Sequence, residues 1–243
     1  MSNMRPLDTA IRHTTHAPER IPAKPIGVHP VPPEISRMRV FDNSSLLAAI
    51  RSLLAERGSL ILHVIAAAPR EGVSTLSRAL AFEATGLADV LLIDANPGPE
   101  SQQKIFRAEQ TPELWSQTQE PGPVRTLLLT VDSRPTCHFA VMQFGTRQDG
   151  PRHDPTLLPA LYDRLRRSFS LVIVDGPSAM ESADYVFACE KCDGVLLVVA
   201  AESTRVPVVQ RAKRALEEAG ARILGVIMNK RKQYIPERIY QRL

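Results

Sequence analysis

Short apolar runs recur along this chain from residue 60 onward, and polar or turn-forming residues bound each of them. Runs of this kind, without alternation, are typical of strands that are buried on both faces of a parallel sheet. We predict strands over residues 60–66, 90–94, 171–175, 195–200 and 223–228, and weaker strands over 127–131 and 139–144.

Segments with apolar residues at helical spacing lie between these runs. The first follows an N-cap signal, Asn43-Ser44-Ser45, and we predict further helices over 76–85, 102–107, 155–167, 184–191 and 206–219. Strands that alternate with helices predict an α/β fold with a mostly parallel sheet and helices on both faces. Ligands bind such folds at the carboxyl ends of the strands.

The ends of the chain differ from its middle. Residues 1–35 are rich in proline and lack apolar periodicity, so we expect a disordered arm there, either a partner-binding segment or a passive linker. We assign one domain to residues 36–229. A basic tail over 230–243 carries Tyr234 and Tyr240, which are open to interpretation as phosphoacceptors or as part of a packed amphipathic end.

Composition narrows the function classes only slightly. The formal net charge of +4 over 243 residues is dispersed, so we expect no nucleic-acid partner. No apolar run approaches the roughly 18 residues of a membrane-spanning helix, and the first residues lack the apolar region of a secretory signal. We therefore expect a cytoplasmic protein.

The cysteines do not indicate a disulfide framework, because there are three of them. Cys189 and Cys192 form a C-x-x-C pair on one predicted helix. A zinc site would need two further ligands, and neither a second pair nor a nearby histidine cluster supplies them. We interpret both as ordinary buried thiols.

The stretch 67–75, Ala-Ala-Pro-Arg-Glu-Gly-Val-Ser-Thr, carries the strongest functional signal. It has the layout of a phosphate-binding loop, G-x-x-x-x-G-K-[ST], between a predicted strand and helix, where backbone N–H groups and the helix dipole favour an anion. Ala67 stands at the first glycine, and Val73 stands at the lysine. We expect nucleotide contacts from Arg70, Glu71, Gly72, Ser74, Thr75 and, after the last strand, Asn229, whose amide could pair with an adenine edge.

Two aspartates follow buried strands at the same predicted sheet edge. Asp175 is expected to bind magnesium together with Ser74, and Asp94 is expected to act beside it; we assign both carboxylates a catalytic role. The alternative is that each is a turn residue, because Asn96-Pro97-Gly98 and Gly176-Pro177 follow them.

Val73 removes the charge that normally reaches the outer phosphates. A hydrogen bond to a charged group is worth about 1.5–3 kcal/mol, so nucleotide binding should weaken by roughly 10-fold to 150-fold. Losing a transition-state donor typically costs about 2.7–4 kcal/mol, so phosphoryl transfer should suffer more unless Arg70 or a partner replaces the charge.

From about Ser45 onward the chain resembles the cytoplasmic kinase domains of the bacterial tyrosine autokinases of capsule and exopolysaccharide synthesis, within the deviant-Walker P-loop ATPases. The resemblance rests on residues 69–75, 90–96, 171–177, 193–199 and 225–229. It implies a P-loop NTPase-like fold, ATP or ADP with magnesium as cofactor, and tyrosine phosphorylation in the C-terminal tail.

The same resemblance implies a membrane chain-length or co-polymerase protein as partner, peripheral membrane association through it, and homo-oligomers. The chain departs from the family at Val73, at Asn96 and in its sparse tail tyrosines. Three interpretations stay open: an impaired regulator of polysaccharide synthesis, an active kinase that uses Arg70 or a partner's cation, and a partition- or positioning-type switch ATPase.

Overall fold

The computed structural model describes residues 20–36, 44–96, 101–144 and 154–230. Within them an eight-stranded sheet has the order β1-β4-β5-β3-β6-β2-β7-β8. Every neighbouring pair is parallel except β4 and β5. The strands are β1 Lys24–Pro30, β2 Leu60–Ala66, β3 Val90–Asp94, β4 Arg125–Val131, β5 Arg134–Val141, β6 Leu171–Ser178, β7 Gly194–Ala200 and β8 Ile223–Asn229. The predicted α/β fold with a mostly parallel sheet is confirmed.

Helices cover both faces of this sheet. They are α1 Pro33–Ser36, α2 Ser44–Arg57, α3 Val73–Ala84, α4 Gln102–Phe106, α5 Leu158–Ser168, α6 Ala183–Ala188 and α7 Val206–Glu218, with 3₁₀ turns at Trp115–Gln117, Pro155–Leu157 and Cys189–Lys191. One apolar core joins α2, α3 and α4 to the sheet, and a second joins α5, α6 and α7 to the opposite face.

The central strands explain why the apolar runs are continuous. Every residue of β2, β3, β6 and β7 is buried, because helices pack on both sides of these strands. In the register of β3 and β6, Asp94 lies opposite Asp175. The two carboxylates that the sequence places at strand ends therefore meet at one edge of the sheet.

The prediction of a disordered arm over residues 1–35 is wrong for Lys24–Pro30. These residues form the edge strand β1, which pairs in parallel with β4. Proline is tolerated in an edge strand because one side of the strand has no partner. Apolar periodicity is weak here because most of its side chains are exposed or half-buried. Residues 1–19 lie outside the described part.

Among the other boundaries that differ from prediction, two have a clear local cause. Helix α3 begins at Val73, three residues before the predicted start, because Gly72 in the left-handed region turns the chain directly into the helix. Strand β5 spans Arg134–Val141 instead of 139–144, because a tight turn at Asp132 and Ser133, both with positive φ, joins it to β4 as a hairpin.

Cys189 is buried and Cys192 is half-buried, and both are free thiols. In the described ranges, no helix has both the length and the apolar character needed to cross a membrane.

Candidate phosphate-binding site

The loop between β2 and α3 forms one wall of a cavity of about 280 Å³. Its lining includes the loop itself and residues from the ends of β3 and β6: Ala66, Pro69, Arg70, Glu71, Gly72, Val73, Ser74, Thr75, Asn96, Gly176, Ser178 and Glu181. The first turn of α3 opens into this cavity, so its free backbone N–H groups and the positive end of the helix dipole are directed there. The predicted loop residues are thus brought together at one site.

Gly72 is fixed by its surroundings as well as by its backbone. Its φ of +92° lies in the left-handed region, and a Cβ atom there would stand 2.2 Å from Asn229 Nδ2. Asn229 is buried at the end of β8. Its Nδ2 donates to the Glu71 carbonyl at 2.7 Å, and its Oδ1 accepts from the Lys230 N–H at 2.6 Å. Asn229 therefore braces the loop from β8; adenine contact by its amide stays a prediction.

Glu71 is buried, and its carboxylate is used within the chain. One oxygen accepts from the Ala68 N–H at 3.0 Å. The other accepts from the Ala200 N–H at 3.3 Å and from the Thr204 hydroxyl. These bonds fasten the loop to the connection between β7 and α7. Glu71 lines the cavity, but its charge serves to hold the loop.

Val73 is an apolar residue, and its surroundings are apolar too. Val73 is 6% exposed and belongs to the core that joins α3 to the sheet. Arg70 is exposed on the loop with φ +64°, and it lines the cavity. Lys230 Nζ donates to the Arg70 carbonyl at 2.6 Å. Two exposed cations therefore lie at the loop, while the position that normally carries one is part of the core.

The carboxylates of Asp94 and Asp175 are both buried. Burial raises the pKa of Asp94 to about 6, against the lowering effect of backbone N–H donors that include Asn96 at 3.2 Å. Burial, and then the neighbouring Asp94, raise the pKa of Asp175 to about 7. Hydrogen bonds from Gln102 and Ser74 and the charge of Arg78 oppose that rise. Both carboxylates lie beneath the cavity, and neither is among the residues that line it.

Gln102, at the start of α4, fills the space beside Asp175. Its Nε2 donates to Asp175 Oδ2 at 2.8 Å and to the Ser74 carbonyl at 2.6 Å. Its Oε1 accepts from Arg78 Nη1 at 2.8 Å. The second Asp175 oxygen accepts from the Ser77 hydroxyl at 3.4 Å. Gln102 and Arg78 are both buried.

The hydrogen bonds that Asp175 accepts affect whether it can bind magnesium, the metal that the fold class implies. Magnesium requires oxygen ligands in near-octahedral geometry, with several of its waters retained. Here each oxygen of Asp175 already accepts a hydrogen bond, one from Ser77 and one from Gln102. This arrangement does not fit magnesium without displacement of Gln102. The assignment of Ser74 and Asp175 as metal ligands stays a prediction.

Sequence reasoning missed Arg78, Gln102 and Lys230. The signal for Arg78 was available, because a charged residue stands among Leu76, Ala79 and Leu80 on the buried face of α3. Gln102 fell inside a predicted helix without a visible role. Lys230 was counted only as part of the basic tail. Tyr234 and Tyr240 lie outside the described residues.

Comparison with known proteins gives a sequence match to one class of enzyme. No protein-family model matches the chain. Tyrosine-protein kinase CpsD of Streptococcus pneumoniae serotype 4 is 33% identical over 70 residues, which is 29% of this chain and 31% of that protein. The match therefore spans less than a third of that kinase's length.

Solved structures share the fold. The VpsO kinase domain aligns with a TM-score of 0.58 at 23% identity, covering 79% of this chain and 99% of that one. The MinC:MinD cell division protein complex of Aquifex aeolicus gives a TM-score of 0.58 at 17% identity, covering 76% and 72%. At these identities the alignments show the fold alone.

Proposed function

We propose that this chain is a catalytically impaired, nucleotide-binding regulator of capsule or exopolysaccharide synthesis. The proposal builds on its resemblance to the bacterial tyrosine autokinases, which is confirmed in sequence and in fold. The nucleotide is ATP or ADP. We assign the catalytic positions of this site to Asp94 and Asp175, which are neighbours on β3 and β6. The proposal separates binding, which the loop supports, from phosphoryl transfer, which it does not.

One observation carries this proposal: the loop keeps its backbone geometry while Val73 is packed into the core. The cavity, the left-handed Gly72 and the helix N-terminus suit a phosphate group, because all three present backbone N–H donors. The side chain of the buried Val73 adds no donor and no charge to them. Phosphoryl transfer depends almost entirely on positioning and on electrostatic stabilisation of the transferred group, so a missing fixed cation affects turnover more than binding.

Restoring the cation tests the proposal directly. We expect Val73→Lys to tighten binding of ADP and ATP by roughly 10-fold to 150-fold, the equivalent of one charged hydrogen bond of about 1.5–3 kcal/mol. Val73→Met is the matched control, because it has a similar length and no charge. Titration of a fluorescent nucleotide analogue into each purified protein measures the affinity, and incorporation of radiolabelled phosphate into tyrosine measures turnover.

The two measurements separate the parts of the proposal. Wild-type protein that phosphorylates tyrosine as fast as Val73→Lys would show that it is not impaired. Absence of nucleotide binding in the wild type and in Val73→Lys would refute the nucleotide site altogether. Equal gains in Val73→Lys and Val73→Met would assign the effect to packing and not to charge.

The competing function is an active kinase in which Arg70 supplies the missing charge. Two observations favour it: Arg70 lines the cavity, and the raised pKa of Asp94 is near the range in which a carboxylate exchanges protons at neutral pH. If this function is correct, Arg70→Gln abolishes tyrosine phosphorylation. Arg107→Gln is the control, because Arg107 is an exposed arginine that also has a positive φ. Under the impaired-regulator proposal neither variant changes a rate that is already negligible.

The resemblance also supports a partner. We propose a membrane chain-length or co-polymerase protein, which would place this cytoplasmic chain at the inner face of the membrane, and self-association of the chain into oligomers. Co-expression with a membrane chain-length protein, followed by membrane fractionation, tests the contact. Recovery of the chain from the membrane fraction only when that protein is present is the expected result, and equal recovery without it contradicts the proposal.

A further inference from the structure

The part of the site around Asp94 and Asp175, here called the metal end, is filled by the side chain of Gln102. Gln102 is fully buried and makes three short hydrogen bonds, to Asp175, to the Ser74 carbonyl and from Arg78. An amide has two N–H donors and one carbonyl acceptor, and each group of Gln102 is used. Rotation of the side chain would break all three bonds at once. Gln102 is therefore a fixed part of the site.

Arg78 brings a positive charge to this end of the site. It lies on α3, five residues after the valine that replaces the loop lysine, and it is 4% exposed. Burial lowers its pKa, and Asp175 raises it, so the two charges interact favourably through Gln102. A buried guanidinium is stable only with partners for its charge and its donors. The Asp175 carboxylate, reached through Gln102, is such a partner.

The arrangement supplies the same electrostatic balance that a divalent cation supplies elsewhere. A metal ion neutralises paired carboxylates and fixes the loop hydroxyl and the strand-end aspartate relative to each other. Here the charge of Arg78 acts on Asp175, and Gln102 links the loop at Ser74 to Asp175. We propose that the Arg78–Gln102 pair takes the place of the divalent cation, so that this protein binds its nucleotide without magnesium. The nucleotide part of this inference rests on the proposed function.

The first experiment measures metal binding without nucleotide, so that it is independent of the proposed function. Mn²⁺ is titrated into wild-type protein, Gln102→Glu and Gln102→Ala, and the signal of free aqueous Mn²⁺ is followed by electron paramagnetic resonance. We expect no specific binding by the wild type. Gln102→Glu adds a carboxylate where the amide lay, and Gln102→Ala frees the Asp175 oxygen, so both should gain at least about 10-fold in Mn²⁺ affinity.

Lys104→Ala is the control, because Lys104 is an exposed residue on the same short helix. It should behave as the wild type does. Thermal unfolding of each variant establishes that it is folded, and the two Gln102 substitutions, one of them nearly isosteric, give independent chances of a folded protein. Mn²⁺ binding by the wild type as tight as that of Gln102→Glu would overturn the inference.

The second experiment measures affinity for ADP by fluorescence with magnesium and with a chelator in its place. We expect the wild-type dissociation constant to be the same in both buffers, and that of Gln102→Glu to fall when magnesium is added. A wild-type affinity that depends strongly on magnesium would overturn the inference and leave the proposed nucleotide function intact. No ADP binding in either buffer would overturn the proposed function, while the Mn²⁺ titration would still decide the role of Gln102.

Discussion

The two ends of the site differ in what has been preserved. At the phosphate end the backbone determines the geometry: Gly72 has a left-handed φ, Asn229 and Glu71 brace the loop, and α3 starts where a phosphate would lie. At the metal end side chains determine it, because Gln102 and Arg78 surround Asp175. The first end keeps the strand, loop and helix layout of a P-loop, although Ala67 stands at the first glycine and Val73 at the lysine. At the second end, side chains of the protein itself donate hydrogen bonds to the Asp175 carboxylate.

This difference shows which features of a nucleotide site depend on the fold. Backbone N–H groups at a helix N-terminus persist as long as the strand, turn and helix persist, so they survive the loss of a lysine. Side-chain charges can be removed or relocated one residue at a time. On α3 the lysine position is apolar, and an arginine lies about 7 Å further along the helix axis at the other end of the site.

Removal of Arg78 should give the largest effect. Arg78→Met keeps the length of the side chain but leaves the Gln102 carbonyl without its donor and the buried Asp175 without a nearby cation. Breaking a buried charged pair by removing one partner is strongly destabilising, and we expect a loss of about 3 kcal/mol in the free energy of unfolding. Chemical denaturation measures it. Lys213→Met, which breaks an exposed ion pair with Glu217, should change stability by less than about 1 kcal/mol.

Equal losses in these two variants would mean that Arg78 is not an integral part of the metal end. Side-chain charge would then not distinguish the two ends of the site, and they would differ only in their backbone geometry.

A Cβ atom at Gly72 should give the next effect, at the phosphate end. Gly72→Ala places a methyl group against Asn229 and also forces alanine into a left-handed conformation, so we expect a loss of about 2–3 kcal/mol together with loss of nucleotide binding. Gly122→Ala separates the two causes. Gly122 has φ +108° with nothing within 4 Å of the added atom, so it should cost only about 1 kcal/mol and leave nucleotide binding unchanged.

Nucleotide binding by Gly72→Ala at wild-type affinity would show that the loop tolerates a changed backbone. In that case the phosphate end would not be more constrained than the metal end.

Titration of Asp94 and Asp175 should give the smallest effect. Their folded-state pKa values, raised to about 6 and about 7, lie above the ordinary value of 3.8. The folded state therefore binds more protons, and the stability from these groups is fully present below about pH 4 and is lost as pH rises to about 7. We expect wild-type protein to lose at least about 1 kcal/mol between pH 5 and pH 8 through this pair.

Denaturation at several pH values tests this, with Asp175→Asn as the comparison. The variant should have a flatter profile, because one of the two carboxylates is gone. A wild-type stability that falls no more steeply between pH 5 and pH 8 than that of Asp175→Asn would show that the metal end does not hold a pair of buried acids with raised pKa values.

The sequence was sufficient for the central strands of the sheet and for the strand, loop and helix that form the phosphate end. Continuous apolar runs predicted β2, β3, β6 and β7, because strands covered on both faces tolerate few polar residues. Strand ends predicted that Asp94 and Asp175 meet, because parallel strands share one carboxyl edge. These inferences depend on local sequence pattern and on a general rule of parallel sheets, so a single sequence was enough to make them.

The sequence was not sufficient for features that depend on contacts distant in the chain. Edge strand β1 has weak apolar periodicity, since its stability comes from pairing with β4 about 100 residues later. The contact between Gln102 and Arg78 depends on how α4 packs on α3, which no spacing rule gives. The bracing role of Asn229 depends on a contact with Glu71 at a separation of 158 residues.

The prolines of β1 have a consequence for how sheets of different molecules can meet. Pro25 and Pro30 carry no N–H group, so this margin of the sheet offers fewer donors to a foreign strand. The opposite margin, β8, has no proline and exposes Val226 and Met228. If two chains associate by strand addition, each should therefore use β8, and the assembly should stop at a dimer. Open-ended stacking into fibres is disfavoured by the composition of one outer strand.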